Sequence, residues 1–113
     1  MIDHMNTARE HGERLNAAMP AVVEQARWNA KFRSVRALAE AAGMTHTYLN
    51  NRLSGSVIFS IRDLGALGHA LGVPVAELLD RAKALADASE ADDSLRAAAS
   101  TEAELDPGDL EEQ

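Results

Sequence analysis

An all-α fold, a compact bundle of about five helices, is what the sequence predicts, and three observations predict it. Apolar residues recur at spacings of three and four in successive blocks, the period of one helix face. Residues that start and stop helices punctuate the gaps between blocks, at Ser34, Gly43, Thr45, Ser60, Gly72 and Pro74. No stretch alternates apolar and polar residues as a half-buried strand would.

Residues 1–18 are weakly amphipathic and read as an N-terminal arm or a short extra helix. A first core helix is expected from Pro20, whose missing N–H costs nothing in a first turn, through Val22, Val23, Ala26 and Ala30. Trp28 and Phe32 fall on an adjoining face and read as packed. Ser34 can cap the next helix by accepting from a free first-turn N–H; Leu38, Ala39 and Ala42 form its inner face and Gly43 stops it. Thr45 caps a further helix whose inward stripe is Leu49 and Leu53. Residues 54–59 form a loop. Ser60 with Asp63 three residues later makes a capping box for a helix striped by Ile61, Leu64, Leu67 and Leu71 and closed by Gly72. Pro74 opens the last core helix, with Leu78, Leu79, Ala82 and Leu85. The expected divisions are therefore an arm over 1–18, a helical domain over 19–86, and an acidic tail over 87–113. The tail, rich in Ala, Ser, Asp and Glu, carries too little apolar surface to offset its ordering entropy and is expected to be disordered.

The whole-chain net charge is -7, but it is unevenly placed. Residues 1–85 hold ten Lys and Arg against eight acids, whereas residues 86–113 hold only Arg96 against ten acids. Between residues 25 and 62 six basic residues face one acid, Glu40. Positive charge thus gathers on the central helices, where it can attract a polyanion regardless of the overall isoelectric point. The tail reads as a solubilising appendage or, alternatively, as a segment that folds back over the basic face.

The chain has 113 residues and no cysteine, so neither disulfides nor thiolate metal sites are available. No apolar run approaches the ~20 residues of a membrane span, and the N-terminus lacks the layout of a secretory signal. A cytoplasmic location is expected. Enzyme chemistry finds little footing: His4, His11, His46 and His69 form no ligand pair backed by a carboxylate, and the paired carboxylates Asp92–Asp93 and Glu111–Glu112 sit in the tail. Neither cofactor nor metal is expected.

Residues 34–55 read as two short helices hinged at Gly43, an arrangement that presents its second helix to a DNA major groove. The outward face of that second helix is His46, Thr47, Asn50 and Asn51, short or planar donors and acceptors suited to base edges. Here the chain resembles the lambda repressor and Cro, or XRE, family of helix-turn-helix domains. Leu38-Ala39 on the first helix, Gly43 at the turn, Leu49 buried from the second helix and Ser54-Gly55 at its end carry the likeness. The run from Leu64 to Leu79 is similar to the family's fourth helix, glycine stop and fifth helix, so the resemblance spans about residues 20–86. Arg52 departs from it, standing where the family buries an aliphatic residue. Either its stem packs inward while the guanidinium reaches a phosphate, or the register around Leu53 is shifted.

The resemblance implies a double-stranded DNA-binding transcriptional regulator, expected to be a phage-type or bacterial repressor that occupies an operator. Base contacts are expected from His46, Thr47, Asn50 and Asn51. Phosphate contacts are expected from Ser34, Arg36, Arg52, Ser54 and Arg62, with Lys31 and Arg33 secondary. Tyr48 is either a phosphate donor or a packed rim aromatic. A homodimer on two half-sites is expected, through Leu79, Ala82 and Leu85 or through the arm, although these residues also serve a plain core. The alternative function is an antitoxin-like autoregulator whose arm or tail binds a toxin protein. A third reading uses the fold for protein contacts alone.

Overall fold

The computed structural model describes the backbone of residues 2–105 and the side chains of residues 7–92. Five helices make up the described chain: α1 (Ile2–Asn29), α2 (Val35–Ala42), α3 (His46–Leu53), α4 (Ile61–Leu71) and α5 (Val75–Leu105). The all-α bundle expected from the sequence is the architecture found.

Local chemistry sets the central boundaries. Ser34 Oγ accepts from the Ala37 N–H at 3.0 Å and Thr45 Oγ1 from the Tyr48 N–H at 3.0 Å, satisfying donors that the first turns of α2 and α3 would otherwise leave open. Gly43 ends α2 at φ 76°, a left-handed conformation that a side chain would disfavour. The expected capping box opens α4, with Ser60 and Asp63 each bonding the other's backbone N–H at 3.0 Å. Between α4 and α5 the chain passes so close to Gly68 that a Cβ there would lie 2.5 Å from the Val73 carbonyl oxygen.

The largest fully buried side chains are Val23, Leu38, Leu49, Leu67 and Leu78, one from each helix, so the core lies where all five converge. Four expectations need correction. Pro20 does not begin a helix but lies inside α1. A proline there removes one backbone hydrogen bond, yet the apolar stripe continues across it, from Leu15, Ala18 and Met19 to Val22, Val23 and Ala26, and burial of that stripe holds the helix through. Trp28 is 68% exposed rather than packed, and Ile61 is 71% exposed because the inward position at the start of α4 belongs to Asp63. Ala82 is fully buried within the monomer, which removes it from the expected dimer surface and leaves only Leu79 and Leu85 partly exposed there.

α1 and α5 form the most extensive helix–helix contact. Arg14, Ala17, Ala18 and Ala21 face Leu85, Ala86 and Ser89 across it, and Arg14 reaches Glu90 at 3.8 Å. α5 thus runs beyond residue 86, through an Ala-rich stretch free of Gly and Pro, as far as Leu105. The rest of the acidic tail, residues 106–113, lies outside the described residues.

Candidate nucleic-acid interface

α3 divides into three stripes because residues four apart stack along a helix. Leu49 and Leu53 face the core, the first fully buried and the second half-buried. Thr47, Asn50 and Asn51 are exposed on the opposite side, and His46 is half-buried at the edge. The third stripe, Tyr48 and Arg52, faces α4.

That third stripe meets a buried carboxylate. Asp63 is 3% exposed, its Oδ1 accepting from the Tyr48 hydroxyl at 2.7 Å and its Oδ2 from Arg52 Nε at 3.1 Å. Arg52 also donates through Nη1 to the Tyr48 carbonyl at 3.2 Å, and its guanidinium lies 3.5 Å from the centroid of the Tyr48 ring, a cation–π contact. Burial pushes the Asp63 carboxyl pKa up, but the bonds from the Ser60 backbone, Tyr48, Arg52 and the Ser60 side chain outweigh it and hold the pKa below its ordinary value. Tyr48 and Arg52, both expected at phosphates, thus direct the Tyr48 hydroxyl and the Arg52 Nε–H to Asp63. The Tyr48 proton and the Arg52 Nε–H that a phosphate would draw on are donated inside the protein instead. The register around Leu53 is not shifted; the arginine stem turns inward, and its charge ends on Asp63.

The remaining cations of the motif differ. Lys31, Arg33, Arg36 and Arg62 are exposed and, among the described residues, make no ion pair. Arg27 is held within the fold, pairing with Glu24 at 2.8 Å and donating to the Phe32 carbonyl at 2.7 Å, which fastens the turn between α1 and α2. Lys31 sits in that turn at φ 68°. The hydroxyl of Ser34 accepts a backbone N–H as a cap while keeping its own proton to donate; that of Ser54 already donates to the Asn51 carbonyl at 3.0 Å. A shallow open cleft of about 380 Å³ lies beside α3, between Gly43, Met44 and Thr45 on one side and Arg62, Asp63 and Ala66 on the other.

Sequence reasoning identified Asp63 only as a local cap. The available signal was the combination of an acid within an apolar stripe and an arginine where the related family buries an aliphatic group, two departures that compensate one another. Among the described residues no group of His, Asp or Glu could hold a metal ion, and no helix is long and apolar enough to cross a membrane.

Comparison with curated proteins and with solved structures finds no match. A family model described as helix-turn-helix matches residues 33–78, from the residue before the α2 cap to the first turns of α5. With α2, the Gly43 turn and α3 in that order, and the two helices that follow, residues 33–78 form a helix-turn-helix domain similar to those of the XRE, or lambda repressor-like, DNA-binding regulators.

Proposed function

We propose that this protein is a sequence-specific repressor that occupies an operator in double-stranded DNA, with α3 entering the major groove. The observation that carries the reading is the pairing of an exposed polar face on α3, Thr47, Asn50 and Asn51, with a set of unpaired cations on the same motif. Asn51 and Asn50 suit the paired donor and acceptor edge of adenine, Thr47 can meet a thymine methyl group, and His46 sits at the leading end of the helix. Arg36, Arg62, Lys31 and Arg33, together with the Ser34 hydroxyl, are the proposed phosphate contacts. Ser54 joins them by exchanging its bond to Asn51 for one to DNA. The protein acts in the cytoplasm as a homodimer on two half-sites about one helical turn apart, since one such helix reads only a few base pairs.

Selection of bound duplexes from a random library tests this reading. A recovered consensus with two-fold symmetry supports it, and recovery of unenriched sequences at all salt concentrations overturns it. A second reading, an antitoxin-like autoregulator, is favoured by one feature: the paired α1 and α5 segments lie outside the matched motif and offer a surface for a protein partner.

A further inference from the structure

The following rests on the reading of α3 as the recognition helix. α3 has only eight residues, and Leu49 is its one fully buried side chain. Half-buried Leu53, one turn on, packs beside it, but apolar burial is non-directional, so this stripe holds a short helix against the core while fixing its rotation about its own axis only loosely. Rotation matters here, because adjacent residues are separated by about 100° around a helix and a modest turn would carry Thr47 and Asn51 away from the groove.

Two directional bonds remove that freedom. Tyr48 and Arg52 lie one turn apart on α3 and donate to the two oxygens of the same carboxylate, at 2.7 and 3.1 Å. The acceptor is itself immobile: Oδ2 also accepts from the Ser60 N–H, while the Asp63 N–H donates to Ser60 Oγ, so the carboxylate is locked into the first turn of α4. The stacking of Arg52 on the Tyr48 ring ties the two donors to each other. We propose that Asp63 is a positioning residue for DNA reading. Through Tyr48 and Arg52 it sets the rotation of α3, and hence which side chains face the bases, without itself touching DNA.

The test compares a duplex recovered from a random library by the wild-type protein with a random-sequence duplex of the same length, at two salt concentrations, alongside the thermal midpoint of each variant. Tyr48→Phe removes one hydroxyl and leaves the charge and the ring in place. It is expected to weaken binding to the selected duplex about tenfold, with binding to the random duplex within about twofold and the salt slope unchanged, because Lys31, Arg33, Arg36 and Arg62 are untouched. Asp63→Asn, which turns an amide toward the Arg52 donor, is expected to lower selectivity further; where it does not fold, Tyr48→Phe decides alone. Selectivity equal to wild type in a destabilised Tyr48→Phe overturns the proposal and leaves the network a purely structural one. Equal losses on both duplexes with a shallower salt slope overturn it in favour of a phosphate contact from Tyr48. A wild-type protein that enriches no duplex refutes the recognition-helix reading itself, and the positioning role falls with it.

Discussion

The helix-turn-helix and the α1–α5 pair treat positive charge in opposite ways. Along α1 and α5, Arg14 pairs with Glu90, Arg81 with Glu77 and Lys83 with Asp87. Around the motif, Lys31, Arg33, Arg36 and Arg62 stand exposed and make no ion pair among the described residues, whereas Arg52 pairs and is turned into the fold. A cation already neutralised by a neighbour has less to gain from a phosphate, whereas an unpaired one contributes its full attraction and releases counterions on binding. The contrast teaches that the acidic whole-chain balance is a poor guide to partners: apart from exposed Arg9, the described cations of α1 and α5 are paired, whereas most of those around the motif are left open.

The comparison breaks most severely if the inward pair is dispensable. Asp63→Ala strands the Arg52 guanidinium in a largely buried position and is expected to cost about 3 kcal/mol of stability, read from chemical denaturation. The same carboxylate gives a pH signature. Its folded pKa is held below the ordinary value, so the stability it contributes is present above the unfolded-state pKa and is lost as pH falls through the lowered one. Asp63→Asn should therefore flatten the acid limb of the stability curve, and an unchanged limb would show that other carboxylates dominate it.

Next in size is the open set. Replacing Arg36 and Arg62 together with alanine should reduce the slope of log affinity against log salt by about 0.9 for each phosphate no longer neutralised, with little regard to sequence. Asn51→Ala should act differently, lowering discrimination at one base pair by about 1–3 kcal/mol while keeping the salt slope. Competition titrations against single-substituted duplexes separate the two, and a reversed pattern would exchange the roles assigned to these residues. The smallest effect is expected from Lys83→Ala: an exposed pair one turn apart on α5 should leave both the thermal midpoint and DNA affinity indistinguishable from wild type.

The parts legible in the sequence were those controlled over three or four residues. The caps at Ser34, Thr45 and Ser60 and the stops at Gly43 and Gly72 all stand where their residue types suggested. Pro20 misled because its local signal for a helix start was outweighed by apolar burial on both sides of it, a benefit that exists only once α5 lies alongside. Trp28 misled in the other direction: its size argued for packing, but among the described residues no element covers its side chain, which is left largely exposed.

The amino-acid order by itself determined the five-helix pattern, the turn at Gly43 and the polar face of α3, since helical period and capping act between near neighbours along the chain. Only the tertiary structure decided the fate of the individual charges. Asp63 lies eleven residues from Arg52 and fifteen from Tyr48 along the chain. Whether those groups meet depends on how α3 docks on α4, and that docking is set by convergence of the five helices on a shared core rather than by any local spacing.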